Sequence, residues 1–340
     1  MAEPANMYDV AVVGATGAVG VEVCTVLKAR SFPLGKLRLF ASTRSAGKVM
    51  RTPYGDVTVE AFSVEAVRTT HFAFLAVSGT FATTHAHALA APGGPFVIDN
   101  SSAFRMDPNV PLVVPEINAS AIGASRLIAN PNCTTAIAAM ALYPLHKAFT
   151  LTKVIVSSYQ AASGAGAKGM AELKEGLKQA LAGGEPVKSV FVHPLPFNVI
   201  PHIDSFVENG YTKEEMKVTN ETRKIFECPD LLISCTAVRI PTLRAHSEAI
   251  TIETAKPITA AGARALLASA PGVKLVDDPS NNLYPMPLTA THQHDVEVGR
   301  IRQSLIFGEH GLELFVCGDQ LLRGAALNAV LIAEACLGAK

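Results

Sequence analysis

The sequence predicts an α/β protein with two domains, and three observations support this fold class. The chain has 340 residues, which is longer than a single hydrophobic core usually stabilises. It opens with an apolar run, a glycine-rich loop and a helical pattern, and strand and helix patterns then alternate as in a doubly wound parallel sheet. From Lys153 onward, strands with long irregular inserts indicate a second, mixed α+β domain whose sheet could also serve a subunit interface.

The composition indicates a globular protein that binds a small molecule. Hydrophobic residues make up 49% of the chain and charged residues 17%, and 29 cationic residues balance 29 anionic ones. The chain therefore has no net positive charge that would attract nucleic acid or an anionic membrane. Met1–Asn6 lacks the basic and apolar regions of a signal peptide, and no apolar run approaches the roughly 20 residues of a membrane span, so we expect a cytoplasmic protein. The scattered cysteines argue against a zinc site or structural disulfides.

The first glycine-rich loop is typical of a Rossmann-type dinucleotide site. Tyr8–Val13 reads as a buried parallel strand, and a helix to about Arg30 follows the loop. Glycines permit a tight turn and a close approach of backbone to a pyrophosphate at the helix N-terminus. A plain strand-to-helix turn is the alternative. The predicted cofactor-binding residues here are Gly14, Thr16, Gly17, Ala18, Val19 and Gly20.

The loop after the second strand favours NADP over NAD. Leu37–Ala41 should end beside the adenosine ribose, where NAD-binding proteins usually place an Asp or Glu. This chain offers Ser42, Thr43, Arg44 and Ser45 instead, and a cation with hydroxyls suits a 2′-phosphate. The alternative is a solvated basic loop.

Strands at about 71–77 and 95–99, with a helix at about 80–91, continue the doubly wound pattern. His85 and His87 are two residues apart in that helix and face different sides, so a shared metal is not expected. The loop after Asp99 contains Arg105, which could hold a phosphate or be an ordinary surface arginine.

Cys133 lies between a short strand, Leu127–Ala129, and an apolar helix-forming run, Ala136–Leu142. The first turn of a helix has unpaired N–H groups and a dipole that favour a thiolate, so Cys133 is a candidate nucleophile. The alternative is a small buried hydrophobe.

The second half predicts a strand at 153–160, a turn at 163–166, helices at 171–182, 213–226 and 257–268, strands at 231–240 and 246–254, and a final helix over about 320–337. His246, where a strand begins, is the candidate base. The alternative is a satisfied structural histidine, which spacing alone favours.

Several motifs in the right order resemble those of the aspartate-β-semialdehyde dehydrogenase family, from GATGAVG to the last helix. They are NPNCTT, SYQAASGAG, GYTKEEMK, RIPTLRAHSEA and GDQLLRGAALN. The chain is similar to the shorter form, which lacks long insertions in the second domain. The resemblance implies a glyceraldehyde-phosphate-dehydrogenase-like fold, with an NADP-binding domain at about 1–130 and 318–340, a catalytic and dimerisation domain at 131–317, and a homodimer or dimer of dimers.

The resemblance also implies the chemistry: NADP-dependent, reversible reduction of L-4-aspartyl phosphate to L-aspartate 4-semialdehyde through a cysteine thioester. This step belongs to the biosynthesis of lysine and diaminopimelate, methionine and threonine. The implied roles are Cys133 as nucleophile, His246 as base, Gln160 as orienting residue, Arg239 and Glu214 as substrate clamps, Arg105, Asn132 and Lys217 as phosphate ligands, and Ser163, Gly164 and Gln320 as further cofactor contacts.

Three alternatives stay open. Glu215 is the likeliest wrong-register neighbour of Glu214, because both lie in a charged helical run. The chain could be another acyl-phosphate reductase, such as N-acetyl-glutamyl-phosphate reductase or a glyceraldehyde-phosphate dehydrogenase. It could also be a non-catalytic, NADP-binding regulatory paralogue.

Overall fold

The computed structural model describes residues 7–338. The chain divides into two compact units, Met1–Pro131 with Ala325–Lys340, and Asn132–Gly324. The second segment of the first unit thus begins at Ala325 rather than at residue 318. The prediction for Met1–Asn6 and the outer limits 1 and 340 of the first domain lie outside the described residues.

The first unit is built on a seven-stranded sheet with the strand order β3-β4-β2-β1-β5-β6-β7. All neighbouring strands pair in parallel except β3 with β4. The strands are β1 Tyr8–Val13, β2 Leu34–Ala41, β3 Val49–Thr52, β4 Gly55–Ala61, β5 Phe72–Leu75, β6 Phe96–Asp99 and β7 Leu127–Ala129. The helices are α1 Ala18–Ala29, α2 Val64–Arg68, α3 Gly79–Ala90, α4 Pro115–Asn118 and, after the second unit, α10 Leu327–Gly338.

The parallel core follows from the sequence and creates a binding crevice. Val10 to Val13 are at most 1% exposed, as expected for a strand covered on both faces. The chain passes from β1 to β2 on one side and later to β5 on the other side of β1. Open α/β sheets bind ligands at the carboxyl ends of the strands at such a change of direction. The predicted Rossmann-type fold is confirmed.

The second unit contains a mixed six-stranded sheet with the order β11-β12-β13-β10-β8-β9. Its strands are β8 Leu151–Gln160, β9 Leu232–Arg239, β10 His246–Thr254, β11 Val273–Leu275, β12 Val296–Ser304 and β13 Gly308–Gly318. Its helices are α5 Cys133–Phe149, α6 Gly166–Leu181, α7 Lys213–Ile225, α8 Ala260–Ala268 and α9 Pro287–Ala290.

Three neighbouring strands of this sheet bring polar side chains to one edge. Gln160 ends β8 and pairs with Arg239, which ends the parallel strand β9. His246 begins β10, which runs antiparallel to β8. Since the end of a strand meets the start of its antiparallel neighbour, the three residues lie side by side. Helix α5 packs on β8, β10 and β13.

Some predicted elements differ from the structure. The final helix was predicted from about residue 320, but Leu322–Ala326 forms a π-helical turn and the α-helix begins at Leu327. The predicted turn at 163–166 is a 3₁₀ turn, Ala162–Ala165, and α6 starts at Gly166 rather than at residue 171. The sequence patterns did not predict the strands β3, β4, β11, β12 and β13.

Residues 7–338 contain neither a membrane-spanning helix nor a metal-binding cluster. No helix there has the length and apolar character needed to cross a membrane. No cluster of His, Cys, Asp and Glu among the same residues could hold a metal ion. All six cysteines are free thiols.

Candidate active site

The glycine-rich loop of the first unit is shaped for close backbone approach. Gly14 has φ +84°, and a Cβ there would lie 2.2 Å from the carbonyl oxygen of Ala76. The loop is fixed because the Gly14 amide donates to Phe40 at 2.8 Å and the Gly17 amide to Gly14 at 3.0 Å. Gly17 caps α1, whose first turn has no acidic side chain. The amides and dipole at the start of α1 are therefore suited to a phosphate anion.

The predicted 2′-phosphate loop follows β2 at the same edge of the sheet. Ser42, Thr43 and Arg44 are exposed, and the amide of Ser45 donates to the carbonyl of Ser42 at 2.9 Å, which closes a turn. The side chains of this turn are therefore available to a ligand of the first unit.

Arg105 is not an ordinary surface arginine, because only 7% of it is exposed. Its Nε donates to the carbonyl of Asn130 at 2.8 Å, and Nη2 donates to the carbonyl of Asn100 at 2.9 Å. These bonds fix the guanidinium on the first unit. Its role as a phosphate ligand stays a prediction.

In the second unit, Cys133 is the first residue of α5. Asn132 caps the helix, and its Oδ1 accepts hydrogen bonds from the amides of Thr134 and Thr135 at 3.0 and 3.2 Å. A Cβ on Gly324 would lie 2.4 Å from Cβ of Cys133, so only glycine fits there. Cys133 is partly exposed, unlike the core cysteines, which separates it from the alternative of a buried hydrophobe.

The same asparagine ties the start of α5 to two carboxylates of α7. Nδ2 of Asn132 donates to Oε1 of Glu214 at 2.9 Å, and its backbone amide donates to Oε2 of Glu221 at 2.6 Å. Glu221 did not feature in the sequence predictions. Its spacing could have indicated it, because Glu214, Lys217 and Glu221 recur at the three- and four-residue intervals of one helix face.

Gln160 joins this group from β8. Its Nε2 donates to Oγ1 of Thr134 at 2.9 Å and to Oε1 of Glu214 at 3.3 Å, and 1% of the residue is exposed. The side-chain amide is thus held beside the helix start that carries Cys133.

The structure separates Glu214 from its neighbour Glu215. Oε2 of Glu215 accepts from the Thr212 amide at 2.6 Å, in a capping box at the start of α7, and Oε1 accepts from the Ala237 amide at 2.9 Å. Glu215 therefore has a structural role. Glu214 is the carboxylate that faces Asn132 and Gln160.

Lys217 lies between two carboxylates. Its Nζ donates to Oδ2 of Asp204 at 2.8 Å and to Oε2 of Glu214 at 3.2 Å. Burial favours a lower pKa for Lys217, but the two carboxylates outweigh burial and the pKa is raised. The ammonium therefore stays charged at neutral pH.

Arg239 lines a cavity of about 320 Å³ in the second unit, together with Phe191, His202 and Asp204. Its Nη1 donates to the carbonyl of Ala161 at 2.6 Å. Burial lowers the pKa of Arg239, and the negative charges of Cys133 and Glu214 partly offset this effect. The Cys133 thiol and the Glu214 carboxylate therefore each lie within electrostatic range of the Arg239 cation.

His246 is fully buried and presents one nitrogen without a partner. Nδ1 accepts a hydrogen bond from the Ala161 amide at 3.0 Å, so the neutral ring carries its proton on Nε2. Nε2 has no hydrogen-bond partner among the described residues. Burial, and then the charge of Arg239, lower the pKa of His246 well below 6.5. In this tautomer Nε2 is a donor, whereas the predicted role of base needs a lone pair there.

The three remaining predicted residues of the second unit lie around His246. A Cβ on Gly164 would lie 3.3 Å from Nε2 of His246 and 2.7 Å from Nη1 of Arg239. Nε2 of Gln320 donates to Oγ of Ser163, and Oε1 of Gln320 accepts from the Ala245 amide at 2.9 Å. Gln320 precedes the last helix rather than lying in it, and it holds Ser163 in place.

The second unit thus brings together Cys133, Asn132, Gln160, Glu214, Lys217, Arg239, His246, Ser163, Gly164 and Gln320. The glycine loop, the Ser42–Ser45 turn and Arg105 belong to the first unit.

Glu248 is an unusual buried carboxyl next to this group. It lies on the same face of β10 as His246, is 0% exposed, and neither oxygen has a hydrogen-bond partner among residues 7–338. Burial raises its pKa well above 4.5, so the folded protein keeps it neutral. In the unfolded chain this carboxyl ionises at its ordinary, lower pKa, so stability falls as pH rises above that unfolded pKa, by about 1.4 kcal/mol per pH unit until the folded pKa is reached.

We therefore expect Glu248→Gln to raise the Tm relative to the parent protein, by an amount that grows from pH 5 to pH 8. Thermal unfolding at several pH values measures the difference. The matched control is Glu253→Gln on the same strand, where bonds to Thr152 and Lys153 lower the carboxyl pKa and the effect has the opposite sign. A Tm difference for Glu248→Gln that is independent of pH would contradict the neutral carboxyl.

Two family models match the chain. Residues 9–125 match "semialdehyde dehydrogenase, NAD binding domain", and residues 142–323 match "semialdehyde dehydrogenase, dimerisation domain". Together these ranges cover most of both structural units.

Curated relatives and solved structures agree with these models. Aspartate-semialdehyde dehydrogenases of Synechocystis and Bacillus subtilis are 47% and 46% identical to the chain, each over 96% of both sequences. The crystal structure of aspartate semialdehyde dehydrogenase II from Vibrio cholerae complexed with ASA has a TM-score of 0.93 at 38% identity, covering 98% of this chain and 99% of that one.

Proposed function

Because the chain belongs to the aspartate-semialdehyde dehydrogenase family, we propose that it catalyses the reversible, NADP-dependent reduction of L-4-aspartyl phosphate to L-aspartate 4-semialdehyde. The observation that carries the proposal is the grouping in one unit of Cys133, Arg239 and a buried His246, whose Nε2 has no hydrogen-bond partner among the described residues. The relatives favour this activity over the alternative of an N-acetyl-glutamyl-phosphate reductase. A non-catalytic paralogue has no evident need for a partly exposed thiol at a helix start.

The first unit fits the cofactor. The tight Gly14 turn and the start of α1 suit the pyrophosphate, and Ser42, Thr43 and Arg44 suit a 2′-phosphate. Bound NADP supplies the hydride acceptor for aldehyde oxidation. Ser163, Gly164 and Gln320 are the residues of the second unit that we assign to the cofactor.

In the oxidative direction, the Cys133 thiolate attacks the aldehyde carbon, and the carbonyl electrons move to oxygen to form an oxyanion. The Nε2–H of His246 is suited to stabilise this oxyanion, as preorganised donors do in acyl transfer. The carbonyl re-forms as the carbon–hydrogen bond breaks, which leaves a thioester on Cys133. Since thiolate attack gives the oxyanion directly, these steps need no base at Nε2.

A phosphate oxygen then attacks the thioester carbon, the carbon–sulfur bond breaks, and the acyl phosphate leaves with the thiolate restored. We assign the phosphate to Lys217, Asn132 and Arg105. Lys217 remains charged between Glu214 and Asp204. A phosphate that binds Lys217 competes with these two carboxylates for its ammonium group. Phosphate dependence of the reaction tests this assignment.

Arg239 and Glu214 are suited to opposite ends of the amino-acid group. The planar guanidinium of Arg239 matches an α-carboxylate, and the buried carboxylate of Glu214 matches an α-ammonium. The family model of a dimerisation domain supports a homodimer. We propose a dimer of dimers as the alternative assembly, which sedimentation would distinguish.

We expect Glu214→Gln to raise the KM for the semialdehyde about tenfold or more, because an ammonium loses a charge-assisted hydrogen bond worth roughly 1.5–3 kcal/mol. Steady-state kinetics with the semialdehyde varied is the measurement. Glu215→Gln is the matched control, and it should lower stability by about 1 kcal/mol through the damaged cap while leaving KM unchanged. If Glu215→Gln raised KM and Glu214→Gln did not, the clamp would be assigned to the wrong carboxylate.

The proposed function is tested by following NADPH formation from semialdehyde and NADP, with and without phosphate. Sustained turnover only with phosphate is expected. NADP binding without any turnover would indicate the regulatory paralogue instead.

A further inference from the structure

We propose that Phe62, Phe81 and His85, here called the aromatic cluster, form the surface on which the adenine ring of the nucleotide packs. This inference rests on the proposed function, because it assumes that the first unit binds NADP. It also gives a role to His85, for which the structure provides no metal partner among the described residues.

The three rings of the aromatic cluster contact one another closely. The centroids of Phe62 and Phe81 are 4.7 Å apart at an angle of 70°. His85 lies 4.9 Å from Phe62 and 4.5 Å from Phe81. Phe81 and His85 are four residues apart on α3 and so share one face of the helix. All three rings are only partly buried, so the cluster keeps apolar surface exposed to solvent.

The aromatic cluster lies at the ligand-binding edge of the sheet. Phe62 directly follows the carboxyl end of β4, and Phe81 belongs to the first turn of α3, which follows the carboxyl end of β5. In the strand order, β4 and β5 lie on opposite sides of β1, which carries the glycine loop. The contact between Phe62 and Phe81 therefore spans the crevice at the change of strand direction.

The position next to the 2′-phosphate turn identifies which part of the nucleotide meets the cluster. The Phe62 amide donates to the carbonyl of Ala41 at 3.1 Å, and Ala41 immediately precedes Ser42. Adenine and the 2′-phosphate are attached to the same ribose, so their binding surfaces must adjoin. A flat, polarisable base gains about 1–3 kcal/mol by stacking on an aromatic side chain.

A purely structural role is the competing explanation, because the aromatic cluster also joins α3 to the end of β4. Binding constants separate the two roles, since packing alone changes the Tm without selecting one part of the ligand. We would measure the Kd of the full-length protein for NADPH, NADH, adenosine 2′-monophosphate and nicotinamide mononucleotide, with the Tm of every variant.

We expect Phe62→Ala and His85→Ala to raise the Kd for the adenine-containing ligands about tenfold and to leave that for nicotinamide mononucleotide unchanged. Phe62→Leu, which keeps apolar volume without a π face, provides a well-folded second variant with a smaller loss in the same direction. Arg44→Ala should differ, because it should raise the Kd only for NADPH and adenosine 2′-monophosphate, the two ligands that carry a 2′-phosphate.

The matched control is His87→Ala, on the same helix, whose ring packs 4.9 Å from Phe104 instead. Its Kd values should equal those of the parent protein. A lower Tm with unchanged NADPH affinity for Phe62→Ala, Phe62→Leu and His85→Ala would overturn the adenine surface and leave the proposed function intact. If the parent protein bound no NADPH, both would be overturned.

Discussion

Cys133→Ala is expected to lower kcat by about 10⁴-fold or more, because the attacking sulfur and the thioester are both lost. Cys133→Ser should be nearly as poor, since a hydroxyl is a far weaker nucleophile at neutral pH. The affinity for NADPH should stay unchanged in both variants, which shows that the fold of the first unit persists. Steady-state turnover and equilibrium binding are the two measurements.

Cys228 provides the matched control, because Cys133 and Cys228 are the two cysteines that are not buried. Burial raises the pKa values of Cys24 and Cys336 to about 11 and that of Cys317 to about 12, so these thiols should resist alkylation. Iodoacetamide should inactivate the parent protein and Cys228→Ser at the same rate. If Cys228→Ser instead protected the enzyme from inactivation by iodoacetamide, Cys228 rather than Cys133 would be the reactive thiol.

The second large effect is expected at His246. Removing a donor to the oxyanion typically costs about 10²–10³ in kcat, so His246→Ala should lose activity on that scale. His246→Gln should retain more activity than His246→Ala, because its side-chain amide can still donate to the oxyanion. The measurement is kcat in the oxidative direction for both variants.

The pH dependence distinguishes the donor from a base. Burial and Arg239 hold the pKa of His246 well below 6.5, so the ring is neutral across the physiological range and its titration adds no step near neutral pH. The profile should therefore keep its shape in His246→Gln. The predicted base would be favoured by two results together: equal losses of kcat in His246→Ala and His246→Gln, and a limb of the parent pH profile that is absent from both variants.

Local sequence signals predicted much of the fold and of the site. An apolar strand, a glycine loop and a helix correctly indicated the start of the parallel sheet, and the helix after Asn132 does begin at Cys133. These features depend on residues that are neighbours in the chain. Elements with weak patterns were missed: β3 and β4 are largely exposed and contain no apolar run, and the π-helical turn before α10 has no distinct composition.

The remaining features depend on contacts between distant residues. Which of Glu214 and Glu215 faces the site was decided by the Ala237 amide, which binds Glu215 from another strand. The tautomer of His246 is set by the Ala161 amide, 85 residues away in the chain. Such partners are known only once the strands are paired. A sequence motif could therefore identify His246 but not its protonation state.

The most direct test is to mix the protein with semialdehyde and NADP without phosphate, quench within a single turnover and analyse the peptides by mass spectrometry. We predict an aspartyl group in thioester linkage on the peptide with Cys133, formed with one equivalent of NADPH and released as acyl phosphate when phosphate is added. Phosphate-dependent turnover by Cys133→Ala, or NADPH formed with no acyl group on Cys133, would contradict the thioester mechanism.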